Sequence, residues 1–189
     1  MHNKDYWNQR YQTQQTGWDL GQPAPAIINF FSTIDDKSAA ILIPGCGNAH
    51  EAQALLDMGF TNITLIDIAP LLVDSLREKF KNTAINVILG DFFEHTGTYQ
   101  YIVEQTFFCA IDPSLRPQYV GHMHALLQPG GQLVGLQFGV SMPAGPPFGG
   151  NEAEYQALFE PKFEVNISPC IHSVKPREGN ELWVEYTKK

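Results

Sequence analysis

Ala39-Ala40-Ile41-Leu42-Ile43-Pro44-Gly45-Cys46-Gly47-Asn48 is the stretch that decides the fold of this 189-residue chain. An apolar run ending abruptly at Pro-Gly reads as a buried strand over 39–43 that meets a tight turn. Glycines at such a turn let the backbone approach a ligand closely. The free N–H groups of a following helix then face something electron-rich. That helix is expected over 48–58, with Ala52, Leu55 and Leu56 on one side and Gly59 just past its end.

Outward from this unit the pattern repeats. Strands are expected at 63–67, 86–89, 101–110 and 132–138. Helices are expected from Pro70 to about Lys81, with Leu72, Leu76 and Phe80 as the apolar stripe, and over 118–127. Strand and helix in alternation imply a parallel sheet with helices on both faces, because each crossover is right-handed and must be covered. The tail departs from this. Two strands, 163–167 and 181–186, flank a turn around Arg177-Glu178-Gly179-Asn180, which sets the last strand antiparallel at or near the sheet edge. The expected fold is therefore α/β and Rossmann-like, a seven-stranded and mostly parallel sheet with the last strand antiparallel.

Ahead of the sheet, residues 1–35 have their own character, and residues 36–189 form the expected core of a single domain. A helix is expected over 4–15, a loop over Gly17 to Pro23, and a short helix from Pro25 to Phe31. Tyr6, Trp7, Tyr11 and Trp18 are a dense aromatic load on a polar segment. They either pin it to the sheet or make it a helical lid over a bound ligand.

Hydrophobic residues make up 43% of the chain and aromatics 12%, which fits a globular protein and excludes a disordered one. The net charge of -8 gives no footing for phosphate backbones or anionic lipid, so small molecules are the expected partners, not nucleic acid or a membrane. The polar start Met1-His2-Asn3-Lys4-Asp5 has no apolar core of a signal peptide. Cys46, Cys109 and Cys170 are odd in number, widely spaced and without a CxxC pair. A disulfide framework or zinc site is thus not expected, and a cytoplasmic setting is. His122 and His124 fall on opposite sides of a helix and cannot share a metal; no metal is expected.

Twenty residues past Gly47, Asp67 ends the second strand. A carboxylate there accepts two hydrogen bonds from ribose hydroxyls at the switch point of a doubly wound sheet; the alternative is a cap on the next helix. Turn and acid together point to an adenosine-containing ligand. A dinucleotide requires a third glycine of G-x-G-x-x-G, and His50 stands in its place. The ligand expected is accordingly S-adenosyl-L-methionine and not NAD. At the end of strand three, Asp91 and Phe92 are placed to meet and flank the adenine.

Four stretches carry a closer resemblance: Ile43-Pro44-Gly45-Cys46-Gly47; Phe107-Phe108-Cys109-Ala110-Ile111-Asp112-Pro113 with Arg116 and Tyr119; Gly145-Pro146-Pro147-Phe148; and Gly17-Trp18-Asp19-Leu20-Gly21. The chain resembles the thiopurine S-methyltransferase superfamily, especially its thiol and halide methyltransferase branch, from about Trp7 to Phe159. The resemblance implies a class I methyltransferase. It implies that Trp7, Tyr11 and Trp18 close over the cofactor, with Tyr11 where tryptophan is frequent. It also implies that Gly45 approaches the methionine moiety, with Gly47 in the same turn, that Asp67 binds the ribose, that Asp91 and Phe92 contact the adenine, and that Gln105 meets the cofactor. Arg116 is the implied catalytic, acceptor-facing residue, and Tyr119 and Phe148 complete the implied substrate side.

For Arg116 a surface ion pair, for instance with Asp112, stands as the alternative. Tyrosines tend to occupy the positions of Gln105 and Phe138 in halide-methylating relatives, so their loss favours a thiol over a halide. The expected activity is transfer of a methyl group to a small soft nucleophile, a thiol or thiopurine-like sulfur. Halide or hydrosulfide methylation, a non-catalytic S-adenosylmethionine-binding module and a nicotinamide-dependent reductase are the alternatives. A monomer or weak homodimer is expected.

Overall fold

The computed structural model describes residues 3–142 and 144–189, leaving Met1, His2 and Pro143 outside it. Seven strands form one sheet in the order β3-β2-β1-β4-β5-β7-β6. They are β1 (Ile41–Pro44), β2 (Ile63–Asp67), β3 (Ile85–Leu89), β4 (Tyr99–Gln105), β5 (Leu127–Phe138), β6 (Phe163–Pro169) and β7 (Glu181–Lys188). Pairing is parallel from β3 through β5. Strand β7 runs antiparallel to both β5 and β6. It lies between them, so β6, and not the last strand, takes the edge.

The expected helices form on both faces. On one, α2 (Pro25–Ser32), α3 (His50–Asp57) and α4 (Pro70–Lys79) bury Ile27, Phe31, Ala52, Leu55, Leu72 and Leu76 against Ile41, Ile43, Leu65 and Val103 of the sheet. On the other, α5 (Arg116–Leu126) and α6 (Glu152–Phe159) bury Tyr119, Met123, Tyr155 and Phe159 against Leu42, Ile102, Leu133 and Val184. The odd and even residues of β1 divide between the two cores, as the two-residue period of a strand requires. Four-residue β1 is buried along its whole length, the signature of a central parallel strand.

Several boundaries differ from the sequence expectation for physical reasons. Helix α1 (Lys4–Gln12), capped by the Asn3 side chain on the Tyr6 amide at 3.1 Å, ends three residues early. Gln14 there adopts a left-handed φ of 56°. Helix α3 begins at His50, two residues late, because Ala49 sits at a φ of 55°. The expected strand over 101–110 leaves the sheet after Gln105: Thr106 turns left-handed at a φ of 58°, and Phe108–Ala110 form a short 3-10 turn. Helix α6, capped by Asn151, was not expected at all. The crossover from β3 to β4 carries only a 3-10 turn, Phe92–Glu94. Among the described residues no helix is long and apolar enough to cross a membrane.

The order β2-β1-β4-β5 places the topological switch between β1 and β4. Ligands of open α/β sheets bind outside the carboxyl ends of the strands at that point.

Candidate cofactor and acceptor site

A cavity of about 660 Å³ opens at that switch, within the range of about 300–1,000 Å³ usual for small-molecule sites. Its floor is made by the strand ends: Gly45 to Gly47 after β1, Asp67 and Ile68 after β2, Asp91 and Phe92 after β3, and Gln105 to Phe107 after β4. Helix α1 and the loop behind it form the roof, through Trp7, Tyr11 and Trp18. All nine residues expected on the cofactor side thus face one cavity.

The floor is shaped by close packing. Gly45 has a φ of 55°, and a Cβ on it would lie 2.2 Å from the Phe107 ring. Both facts require glycine. The Phe107 ring is held edge-on by Phe92, with centroids 5.1 Å apart. Gly47, at a φ of 50°, passes beneath the Tyr11 hydroxyl. Asp67 accepts the Ala69 amide at 3.0 Å in a local turn; it does not cap α4, whose N-cap is Ala69 without a side-chain cap bond. Burial pushes its carboxyl up to about 6, against backbone hydrogen bonds from Ala69, Gly47 and Ile68 that pull it down. Asp91 accepts the Phe93 amide at 2.9 Å. Gln105 presents a buried Oε1 with no hydrogen-bond partner. A buried amide oxygen left unpaired is costly, so this atom calls for a donor from whatever enters.

The roof is tied down at three places. Asn8 accepts the Leu71 amide at 2.9 Å and so joins α1 to α4. Asp19 accepts the Gly21 amide at 2.8 Å, pairs with His50 Nε2 at 2.8 Å and accepts the Asn48 side chain. Burial raises the Asp19 carboxyl, but those three hydrogen bonds outweigh it and hold it below the usual range. The third tie comes from far along the chain: Arg177 donates to the Trp18 carbonyl at 2.7 Å and to Glu181 at 3.3 Å, with its guanidinium 5.6 Å from the Phe138 ring centroid. Trp18 itself packs edge-on against Trp7 and Tyr11, at 5.5 and 5.7 Å. His50, which stands where a dinucleotide site has glycine, is therefore a latch for the roof.

Three expected substrate-side residues do not line this cavity. Arg116, only 4% exposed, bonds Glu154 and, at 2.9 Å, the Gly149 carbonyl, and its guanidinium lies 4.7 Å from the Phe108 ring centroid. It clamps Gly149 onto α5 and α6, and where the sequence alternative was a surface ion pair, the pair that forms with Glu154 holds a buried guanidinium. Tyr119 is fully buried and donates to Glu104 Oε2 at 2.6 Å. The Phe148 ring folds back on Gly145, where a Cβ would lie 2.3 Å from it, while the preceding Pro146 and Pro147 reach the cavity instead. Sequence spacing puts Arg116 and Tyr119 on one helix face, but that face is turned to the core. Cys109, Ile111, Leu115, Phe138, Pro146 and Pro147 make the wall at the β4–β5 end, with Asp112 and Arg177 as its charged members. Burial pushes the Cys109 thiol up to about 12 and the Cys46 thiol up as well, so neither is an activated nucleophile. Among the described residues no group of His, Cys, Asp and Glu is placed to hold a metal.

The sheet order, the glycine turn at the switch and the strand-ending acid define a Rossmann-like methyltransferase fold. The magnesium protoporphyrin IX methyltransferase of Synechocystis, solved with bound S-adenosylhomocysteine, shares it at a TM-score of 0.77 and 12% identity, covering 98% of each chain. The chain belongs to the thiopurine S-methyltransferase family, whose model matches residues 2–186. It is 31% identical to the probable thiol methyltransferase 2 of Arabidopsis thaliana over 184 residues, which cover 93% of this chain and 81% of that protein. It is 27% identical, over the same shares, to thiocyanate methyltransferase 1 of the same plant. The protein is an S-adenosyl-L-methionine-dependent methyltransferase.

Proposed function

We propose that the acceptor is the sulfur of a small organic thiol or thiopurine-like molecule, taken at the β4–β5 end of the cavity. The observation that carries this is the wall of Cys109, Ile111, Leu115, Phe138, Pro146 and Pro147. A wall of that kind suits a soft, weakly hydrated nucleophile and keeps water from it. Neither Gln105 nor Phe138 brings a hydroxyl, which favours an organic thiol over a halide. The thiol and thiocyanate methyltransferases to which the chain is similar point to sulfur as well.

In this reading Asp67 holds the ribose, Asp91 and Phe92 hold the adenine, and the Gly45–Gly47 turn and Gln105 hold the methionine part. The unpaired Gln105 Oε1 and the Asp67 carboxylate are acceptors that match the N–H and O–H donors of S-adenosylmethionine. When bound, that molecule supplies a methyl group on a positively charged sulfur, an already activated donor. The protein's share is then to align, to exclude water and to close, and Trp7, Tyr11 and Trp18 do the closing. Arg177, whose charge sits at the acceptor end, takes the place expected of Arg116 in favouring an anionic sulfur. We read the chain as a single domain (1–35 the lid, 36–189 the core) and as a cytoplasmic monomer or weak homodimer with neither nucleic acid nor membrane as partner.

The test is transfer of labelled methyl from S-adenosylmethionine to a panel of thiols, thiopurines, hydrosulfide, thiocyanate and halides. Turnover on organic sulfur above the inorganic anions is expected. Preference for halide or hydrosulfide overturns the acceptor assignment.

A further inference from the structure

Glu104 is a carboxylate in the middle of the sheet, fully buried, one residue before the cavity begins. Its Oε1 accepts the amides of Phe107 and Phe108, each at 2.8 Å, and its Oε2 accepts the Tyr119 hydroxyl at 2.6 Å. The three bonds enclose a backbone outlier. Thr106 has a φ of 58°, a region that β-branched residues rarely enter and that persists only where the surroundings impose it. From this turn Gln105, Thr106 and Phe107 project into the cavity, and Phe107 covers Gly45.

We infer that Glu104 is a positioning residue for methyl transfer: its carboxylate, steadied by Tyr119, holds the strained β4 turn that sets Gln105 and Phe107 against the cofactor side of the cavity. The inference rests on the function proposed above. It also gives Tyr119 a place: its hydroxyl acts through Glu104 and meets no substrate.

Burial pushes the Glu104 carboxyl up to about 7, while the hydrogen bonds from Tyr119, Phe108 and Phe107 pull it down. Tyr119 from α5, Tyr155 from α6, Tyr186 from β7 and the Cys109 thiol surround it. All four are shifted upward, so Glu104 is the group among them that titrates near neutrality. An ionised carboxylate grips amide N–H groups more strongly than a neutral one. Protonation therefore loosens the turn.

The experiment compares wild type, Glu104→Gln and Tyr119→Phe. In the ligand-free proteins the amide resonances of Phe107 and Phe108 are followed by NMR from pH 5.5 to 9. In parallel, kcat is measured at saturating S-adenosylmethionine, where the cofactor-binding titration of Asp67 drops out. The wild-type amides are expected to titrate together near neutrality, and kcat to fall as pH drops through the same range. Glu104→Gln keeps both hydrogen-bonding ends and should show no such titration, with kcat flat and about tenfold below the wild-type plateau. Tyr119→Phe loses the bond that favours the charged form and should move both curves to higher pH. If both variants keep the wild-type amide titration and kcat profile, whatever their loss of Tm, Glu104 is a structural residue only and the inference is overturned. A wild type without thiol turnover would refute the acceptor assignment, and the amide titration would still decide the role of Glu104.

Discussion

Gly45→Ala tests the floor of the site at its tightest point. The residue's φ of 55° costs an alanine about 1–2 kcal/mol. The added Cβ would also lie 2.2, 2.8 and 3.0 Å from three atoms of the Phe107 ring. That ring cannot simply swing aside. Phe92 and Tyr119 flank it at 5.1 and 6.1 Å, and its backbone amide is held by Glu104. Overpacking of this kind costs about 1–3 kcal/mol. Together the two effects predict a loss of about 2–5 kcal/mol, or roughly 4–20 °C in Tm for a chain of this size. Thermal and urea unfolding measure the loss, and calorimetry should show cofactor affinity falling with it. In Gly45→Ala/Phe107→Leu the steric part should be recovered and the backbone part retained, a coupling of about 1–3 kcal/mol. A Gly45→Ala protein with wild-type Tm and affinity would refute the reasoning, and strict additivity in the double mutant would refute the clash.

Asp67→Asn should weaken S-adenosylmethionine binding roughly 30- to 100-fold by calorimetry, as expected for losing charge-assisted bonds to two hydroxyls. Wild-type affinity should fall below about pH 6 as Asp67 takes up its proton. Stability should show the opposite slope. The native carboxyl protonates at about 6 and the unfolded one near 4, so the native state holds the extra proton between those values, and this group's contribution declines as pH rises across that window. Arg116→Ala strips the donor from Glu154 and the Gly149 carbonyl. It should cost about 2–3 kcal/mol in urea unfolding, less than a fully buried pair because Glu154 is half-exposed; KM for the acceptor should change little at a temperature well below Tm. Arg177→Lys keeps a charge beside Glu181 but loses the fork that reaches Trp18. It should raise the cofactor Kd about three- to tenfold and leave the far-UV spectrum unchanged.

The central sheet was legible because its signals are local. The pattern bounds Ile63 to Asp67 to the residue, and in the strand-turn-helix at 39–58 the strand shifts by one or two residues to Ile41–Pro44 and the helix starts at His50, after Ala49 turns left-handed. Sequence pattern and structure part where a distant group decides the local backbone. The strand read through 106–110 is broken by a turn that Glu104 holds, and nothing in Thr106-Phe107-Phe108 announces it. Helix α6 is masked in the sequence by its Gly- and Pro-rich approach, although Asn151 supplies an ordinary cap. In the site, the floor followed from glycines and acids at strand ends, which topology alone brings together. The orientation of α5 did not follow, since the spacing of Arg116 and Tyr119 fixes a shared face and not which way it points. Arg177 was invisible for a simpler reason: it meets Trp18 across 159 positions of sequence. Asp19 had a signal in the spacing to Gly21, whose amide it caps.

The most direct test of the account is a single-turnover assay with S-adenosylmethionine carrying a labelled methyl group and one small aromatic thiol. The account predicts label in the thioether product, an equal yield of S-adenosylhomocysteine, and a roughly tenfold slower formation of both in Asp67→Asn at cofactor concentrations that just saturate wild type. Cofactor binding of wild-type strength without label on any sulfur acceptor would contradict it.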